Sequence, residues 1–138
     1  MNLFQAIQAG YERYSDFKGR ASRSEFWYFL VFFSISSVLL NSIYLYNTNL
    51  DWFCRLIQLF VFTIPYLAVL FRRLHDINKS GWWHLLIYTL VGIPVLIYWL
   101  CLKGTSGRNR FGILNTQKKI ILIPEYLINQ GSLKNIYL

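Results

Sequence analysis

The sequence predicts an all-α membrane protein with three hydrophobic helices, at about 26–46, 52–71 and 82–102, preceded by a short amphipathic N-terminal helix. Hydrophobic residues make up 55% of the chain, whereas soluble domains contain roughly 45–50%. Aromatic residues reach 19%, as expected of a protein that needs amphipathic anchors at two membrane interfaces. Each apolar run is roughly 20 residues long, which is enough to cross a hydrocarbon core about 30 Å thick.

The N-terminal segment has apolar residues at helical spacing. They are Leu3, Phe4, Ile7, Tyr11 and Tyr14, with polar side chains at positions between them. This pattern predicts an amphipathic helix of about three turns. We expect residues 1–25 to form this helix and a basic cytoplasmic flank, residues 26–112 to form the helical membrane domain, and residues 113–138 to form a tail that is only partly ordered.

The first hydrophobic helix has a start signal. Ser22 and Glu25 have the spacing of a capping box, in which the hydroxyl accepts from one free amide and the carboxylate reaches back to another. The helix is therefore predicted to begin near Arg23. The run that follows, 26–46, contains no charged residue.

The charge balance is strongly basic. The formal net charge is +8, from 14 Lys and Arg against 6 Asp and Glu. A continuous solvated basic face would indicate nucleic acid binding, but here the charges flank hydrophobic runs, so we expect no nucleic acid partner. The cysteines and histidines show no metal-ligand spacing, and the sequence indicates neither a metal nor a cofactor.

The distribution of basic residues predicts the topology. They precede the first run and recur in the segment 72–81, whereas 47–51 has no Lys or Arg, so the N-terminus and 72–81 are expected in the cytoplasm. The third run has Gly92 and Pro94 near its centre. One kinked spanning helix is the simpler interpretation, but it puts the basic residues after 102 outside. The alternative is a re-entrant hairpin, which brings every basic segment to the cytoplasmic face.

The segment 72–83, which reads RRLHDINKSGWW, is a polar hinge between two apolar runs. Arg72 and Arg73 are expected to end the second hydrophobic helix, where cations meet the negative end of the helix dipole and face anionic headgroups. Ser80 is expected to cap the third helix, and Trp82 is expected at interface depth.

The hinge contains one acid, Asp76. Because the N-terminal flank and the hinge are predicted on the same side, Arg20 or Arg23 is its expected ion-pair partner. This pairing would join the two segments into one cytoplasmic polar layer.

Three motifs occur in register around the hydrophobic runs. They are FKGRASRSEFW at 17–27, RRLHDINKSGWW at 72–83 and GRNRFG at 107–112. Together, over roughly residues 10–112, they resemble the domain of unknown function 805 family. The resemblance implies a small bacterial inner-membrane protein with no established activity. In the family a proline usually follows the last motif, whereas here Ile113 follows Gly112.

The candidate site residues belong to the predicted polar layer. They are Arg20, Arg23, Glu25, Arg72, Arg73, His75, Asp76, Ser80, Trp82 and Arg110. The simplest role for them is structural, as ion-paired and capping groups that fix how the helices meet. A second interpretation is that the arginines bind the phosphate of an anionic lipid headgroup. A third is a membrane enzyme that acts on a lipid-linked substrate through His75 and Asp76.

Among these interpretations we favour a non-enzymatic, multi-pass membrane protein. The lipid bilayer, with anionic lipid in it, is its expected partner. The sequence also leaves open a homo-oligomer or a membrane-protein partner.

Overall fold

The computed structural model describes residues 1–46 and 51–114. Within these ranges the regular secondary structure is helical, and there is no β-strand. The α-helices are α1 (Leu3–Glu12), α2 (Arg23–Tyr46), α3 (Asp51–Ile57), α4 (Ile64–Asp76) and α5 (Gly92–Cys101). A π-helical turn, Gln58–Thr63, joins α3 to α4, and a 3-10 helix, Gly81–Tyr88, precedes α5. The all-α class is confirmed. The predicted tail, 113–138, lies outside the described residues from position 115 onwards.

Helix α1 is the predicted amphipathic helix. It begins with a capping box, in which Asn2 Oδ1 accepts from the Gln5 amide at 2.9 Å and Gln5 Oε1 accepts from the Asn2 amide at 3.1 Å. Gly10 lies against the ring of Phe29, where a Cβ atom would overlap the ring. The missing side chain therefore lets α1 pack closely on α2.

The start of α2 at Arg23 is confirmed. The Ser22 hydroxyl oxygen accepts from the Glu25 amide at 3.2 Å, which satisfies one of the free donors of the first helical turn. A capping box would direct the Glu25 carboxylate back to the Ser22 amide. Instead, this carboxylate accepts from the Arg13 guanidinium at 2.9 Å.

The core lies where α2, α4 and α5 meet. Its buried side chains are Ala21, Phe26, Phe29, Val69, Leu70, Leu74, Leu96 and Leu100. Farther along α2, the rings of Phe33 and Tyr66 stack with centroids 4.4 Å apart. These side chains pack closely against one another, and such packing is one of the forces that hold apolar helices together in a membrane.

Two helical stretches, Arg23–Ile43 and Trp52–Asp76, are long and apolar enough to cross a membrane. Only 11% of the apolar window in the first and 22% in the second is buried inside the protein. The core helix of a soluble protein would be mostly buried. The exposed apolar faces, which include Ile35, Val38 and Phe60, therefore fit contact with lipid.

The second of these stretches contains the π-helical turn just before Pro65. Proline has no amide hydrogen, so it cannot continue the regular ladder of hydrogen bonds. The amide of Ile64 bonds the carbonyl of Leu59, and the Thr63 hydroxyl donates to the Gln58 carbonyl at 2.9 Å. The helix thus passes the proline by widening for one turn.

The third hydrophobic run is not one helix, so the predicted count of three hydrophobic helices is not confirmed. It divides into the 3-10 helix Gly81–Tyr88 and the shorter α5. The Thr89 hydroxyl oxygen accepts from the Gly92 amide at 3.1 Å at the start of α5. Pro94 lies in the first turn of α5, where helical amides have no intrahelical acceptor and the missing N–H costs nothing.

The two ends of this run lie at the same level of the molecule. Trp83 near its start and Trp99 near its end have ring centroids 5.5 Å apart, and Lys79 Nζ lies 4.6 Å from the Trp99 ring centroid. The Leu100 carbonyl accepts from Arg73 Nη2 at 3.0 Å. The run therefore leaves the end of α4 and returns to it. The single kinked helix favoured by the sequence is wrong, and a hairpin describes the geometry.

Candidate functional site

The polar groups of the molecule gather at the end of α4. We define the polar layer as the buried polar and charged residues there, which are Arg20, Glu25, Arg72, Arg73, His75 and Asp76. Three guanidinium groups face two carboxylates in this set, so the layer carries a formal excess of positive charge. Groups this deeply buried are stable only when they are paired and hydrogen-bonded.

Asp76 is the centre of the polar layer. Its Oδ1 accepts from Arg20 Nε at 2.9 Å, and its Oδ2 accepts from Arg73 Nη1 at 2.5 Å. The predicted pairing of Asp76 with the N-terminal flank is therefore confirmed, with Arg20 as the partner. Gly104 passes so close that a Cβ atom there would overlap the Asp76 carboxylate.

The Arg20 side chain, only 1% exposed, also holds the loop after α5. Its guanidinium donates to the carbonyls of Thr105, Gly107 and Gly112. The backbone of Asp76 joins the same loop, because its carbonyl accepts from the Thr105 amide at 2.9 Å. The third sequence motif is thus bound directly to the other two.

Arg72 holds the linker between α1 and α2. Its Nη1 donates to the carbonyls of Arg13 and Asp16 at 3.0 and 2.8 Å, and its Nη2 lies 3.4 Å from Glu25 Oε1. The Ala21 amide donates to the Arg72 carbonyl at 3.0 Å. The prediction that Arg72 faces headgroups is wrong, because its side chain is fully buried and donates to backbone acceptors of the linker.

Arg73 holds the C-terminal end of the hairpin, as Arg72 holds the linker. Its Nε and Nη2 donate to the Leu100 carbonyl at 3.1 and 3.0 Å, and Nη2 also donates to the Leu102 carbonyl. The last carbonyls of a helix have no intrahelical donor, and a guanidinium with five N–H groups can satisfy several at once. Arg73 is therefore buried as well, and its predicted exposure to headgroups is wrong.

His75 and Asp76 are adjacent in sequence but bind different partners. The His75 ring stacks on Phe111 with centroids 3.8 Å apart, and its Nδ1 lies 3.2 Å from the Gly19 carbonyl. The His75 backbone carbonyl accepts from Asn109 Nδ2 at 2.9 Å. The two side chains therefore do not converge on a common reacting atom.

The remaining predicted residues lie around the layer. Arg110 donates to the Asn78 carbonyl at 2.9 Å and covers the Phe111 ring. Ser80 occupies the N-cap position of the 3-10 helix, but its hydroxyl makes no capping hydrogen bond, so that part of the prediction is wrong. Trp82 is 70% exposed and its ring packs edge-on against Phe71, while its position at interface depth stays a prediction.

A cavity of about 280 Å³ opens beside the layer. Its lining includes Arg20, Ser22, Arg23, Asp76, Lys103, Gly104 and Ser106. Arg23 and Lys103 are exposed at its edge, and within residues 1–46 and 51–114 neither side chain forms a hydrogen bond or ion pair with another residue. The structure thus separates a buried set of arginines that bind the protein from exposed cations that border open space.

Several residues of this site were not singled out by the sequence. Arg13 and Lys103 belong to the basic segments that indicated the topology, and no sequence signal marked Gly104. Asn109 and Phe111 belong to the GRNRFG motif, which was the available signal for the loop's role. In the described ranges no three His, Cys, Asp or Glu side chains are grouped to hold a metal ion.

These features define a class of protein, a small helical membrane protein in which buried arginine–carboxylate pairs tie apolar helices to one polar layer. The chain belongs to the family described as protein of unknown function (DUF805), whose sequence model matches residues 14–113. This confirms the resemblance carried by the three motifs.

Two relatives from Escherichia coli K12 are named inner membrane proteins. YhaI is 40% identical over 103 residues, covering 73% of this chain and 86% of that protein. YhaH is 36% identical over 110 residues, covering 73% of this chain and 88% of that protein. No solved structure matches the chain with significant similarity.

Proposed function

We propose that the chain is a multi-pass, non-enzymatic protein of the bacterial inner membrane that binds an anionic lipid headgroup beside its polar layer. The observation that carries this proposal is the cavity bordered by Arg23 and Lys103. The names of the relatives support the location in the inner membrane.

The chemistry of the cavity favours a phosphate group. A guanidinium such as that of Arg23 matches two phosphate oxygens, while the Lys103 ammonium acts as a point charge. Arg20 and Asp76 also line the cavity and pair with each other, so Arg23 and Lys103 supply its net positive charge. Each basic residue near an anionic surface contributes about 1 kcal/mol.

The assignment to Arg23 and Lys103 differs from the sequence-based interpretation in which the arginines together bind one phosphate. Arg20, Arg72 and Arg73 are buried and donate to carboxylates and backbone carbonyls. A phosphate that recruited them would have to break those bonds and leave buried carbonyls unpaired, at about 1–3 kcal/mol each. The buried arginines thus act as the frame of the site.

The hairpin supports a cytoplasmic position for the site and the N-terminus. Because 81–102 returns to the end of α4, the basic residues within 103–110 lie beside those of the N-terminal flank and the hinge. The positive-inside rule assigns such a concentration of Lys and Arg to the cytoplasmic side. The conflict that a third spanning helix would create with this rule disappears.

The structure gives less support to an enzyme that uses His75 and Asp76. Asp76 is only 3% exposed, and its carboxylate is bound by two guanidinium groups. The His75 ring is covered on one face by Phe111. A general acid and a general base must reach the same substrate. Here the His75 ring contacts Phe111, whereas the Asp76 carboxylate binds Arg20 and Arg73.

The test is binding of phosphatidic acid to purified protein in detergent, followed by native mass spectrometry. Phosphatidic acid presents a phosphate without further headgroup donors. The double variant Arg23→Ala/Lys103→Ala is expected to weaken binding about 30-fold, since two contributions of about 1 kcal/mol are removed.

The matched control is Lys18→Ala/Arg108→Ala, which removes the same charge from two exposed positions outside the cavity lining. This control is expected to bind phosphatidic acid nearly as tightly as the unmodified protein. Equal weakening in both double variants would mean that net charge, and not the cavity, controls binding, and the proposal would fail.

A further inference from the structure

We propose that the tip of the hairpin, at residues 88–91, is a contact surface for a second copy of the chain within the membrane. Tyr88, Leu90 and Val91 are 81%, 88% and 77% exposed, so the tip projects away from the rest of the protein. Its backbone forms the turn between the 3-10 helix and α5. The inference depends on the hairpin and on the membrane location, and it is independent of the phosphate site proposed above.

The tip lies deep in the hydrocarbon region. The 3-10 helix has 8 residues and α5 has 10, which correspond to roughly 16 Å and 15 Å. Leu96 of α5 belongs to the same buried core as Phe29 of α2 and Val69 of α4, so the hairpin runs alongside these helices. With its two ends at the polar layer, the hairpin reaches about halfway across a hydrocarbon core about 30 Å thick.

Three amides close the turn at the tip. The carbonyl of Leu86 accepts from the Thr89 amide at 3.0 Å. The carbonyl of Thr89 accepts from the amides of Gly92 and Ile93 at 3.1 and 3.3 Å. These bonds hold the 3-10 helix to the start of α5, but they use none of the amides between Thr89 and Gly92.

In the part of the chain that the structure describes, two donors and two acceptors at the tip have no partner. The amides of Leu90 and Val91 have no acceptor, and the carbonyls of Tyr88 and Leu90 have no donor, within residues 1–46 and 51–114. Pro94 accounts for the Leu90 carbonyl, because it lacks the amide hydrogen that a helix directs to the carbonyl four positions earlier. Since the residues of the tip are largely exposed, a neighbouring molecule can approach these groups.

The unpaired groups need a partner that lipid does not provide. Acyl chains carry no hydrogen-bonding atoms, and the headgroups of either leaflet lie about 15 Å from the middle of the bilayer. Irregular backbone at membrane depth is stable only where protein buries it or where it lines a water-filled cavity. The side chains of Leu90 and Val91 are apolar and do not favour water, so the tip favours burial against another protein surface.

A second copy of the chain presents the required complement. The tip carries donors, on Leu90 and Val91, beside acceptors, on Tyr88 and Leu90. A two-fold axis along the membrane normal places the tips of two copies at the same depth and lets the donors of each face the acceptors of the other. An unrelated partner would itself need polar groups in mid-membrane, where they are rare.

Cysteine cross-linking in native membranes tests this contact. In a Cys54→Ser/Cys101→Ser background, Leu90→Cys is oxidised with iodine and the products are weighed by mass spectrometry. Most of the protein is expected to form a disulfide-linked dimer. The control is Ile35→Cys, which is 56% exposed on α2 and lies about 12 residues, or roughly 18 Å, beyond Arg23, at a depth similar to that of the tip. It is expected to remain monomeric.

Equal cross-linking of Leu90→Cys and Ile35→Cys, or none of either, would overturn the proposal. A Leu90→Cys product whose mass is not that of two copies would overturn the assignment of the partner to this chain.

Leu90→Pro and Leu90→Ala separate the backbone from the side chain. Thr89 has φ −117° and ψ 136°, a conformation that accepts a following proline, and Leu90 is the first central residue of the turn, where proline is favoured. In an isolated chain Leu90→Pro therefore removes only an unpaired donor, whereas in the dimer it removes one hydrogen bond from each copy.

The monomer–dimer equilibrium of these variants is measured by single-molecule photobleaching. The protein, in the same cysteine-free background, is labelled at Lys18→Cys and diluted into liposomes. Leu90→Pro is expected to weaken dimerisation about 30-fold, the factor for two hydrogen bonds of about 1 kcal/mol each, and Leu90→Ala is expected to weaken it far less. Equal dimerisation of the two variants would overturn the backbone pairing.

The hairpin contact and the phosphate site are separable in this experiment. Leu90 is not part of the lining of the cavity beside the polar layer, so Leu90→Pro is expected to bind phosphatidic acid as the unmodified protein does. Loss of phosphatidic acid binding together with loss of the dimer would contradict the independence of the two sites.

Discussion

Arg20 and Asp76, which are 56 positions apart in the sequence, form a buried pair in which Arg20 Nε donates to Asp76 Oδ1 at 2.9 Å. The same guanidinium donates to carbonyls of the loop after α5. One side chain therefore connects all three sequence motifs. The polar layer acts as a frame that sets where each apolar element begins or ends.

Asp76→Ala is predicted to destabilise the protein by about 3–5 kcal/mol, because removing one partner of a buried ion pair leaves uncompensated charge behind. Here two guanidinium groups, those of Arg20 and Arg73, lose their carboxylate. The free energy of unfolding is measured by denaturant titration in detergent micelles. Arg108→Ala, at an exposed position, is the control and should change it by about 0.5 kcal/mol or less. Similar stability of the two variants would contradict the central place given to Asp76.

Gly104→Ala is predicted to lower the free energy of unfolding by about 1–3 kcal/mol, the usual cost of forcing extra atoms into a packed site. The added Cβ would overlap the Asp76 carboxylate and push it away from its two arginines. Ser106→Ala, two residues further along the same loop and exposed, is the matched control. The same assay decides between them, and a neutral Gly104→Ala would mean that the loop does not pass against Asp76.

Phe111→Leu is predicted to loosen the loop after α5 without unfolding the helices. The ring of Phe111 stacks on His75 and lies under the Arg110 guanidinium, so its loss removes two contacts worth about 0.5–1 kcal/mol each. Hydrogen exchange of the amides in 105–112 should become faster, with exchange in α2 and α4 unchanged. Tyr28→Leu, an exposed aromatic on α2, should leave the loop amides as they are.

Arg73→Lys and Arg72→Lys form a reciprocal pair of tests. Each keeps the charge, but a lysine ammonium cannot span the several acceptors that the guanidinium fork holds. Arg73→Lys should speed hydrogen exchange at the C-terminal end of α5, because the Leu100 carbonyl loses its donors. Arg72→Lys should speed exchange in the 13–16 linker instead. Identical exchange patterns in the two variants would show that the arginines do not have separate attachments.

The sequence was sufficient for those features that depend on local pattern. Hydrophobic run length located α2 and the start of the Trp52–Asp76 stretch, which continues beyond the predicted end at 71, and the spacing of Ser22 and Glu25 located the start of α2. Because the N-terminal flank and the hinge were placed on the same side of the membrane, Asp76 was predicted to pair with Arg20 or Arg23. In the structure its partner is Arg20.

The failures concern features that depend on tertiary contacts. Arg72 and Arg73 lie at a helix end, where exposure is the usual outcome, and nothing local shows that the linker and the hairpin bring carbonyls to them. The third run is apolar throughout, so its hydropathy is the same for one helix or two. Its division depends on the turn at Thr89 and on the donors of Arg73.

The position of the third motif relative to the membrane tests the account most directly. In a Cys54→Ser/Cys101→Ser background, single cysteines at Lys18, Ile43 and Arg108 are labelled with a membrane-impermeant maleimide in spheroplasts and in inside-out vesicles. Lys18→Cys and Arg108→Cys should label only in inside-out vesicles, and Ile43→Cys, near the far end of α2, only in spheroplasts. Labelling of Arg108→Cys in spheroplasts, with Lys18→Cys still protected, would contradict the hairpin and the single polar layer.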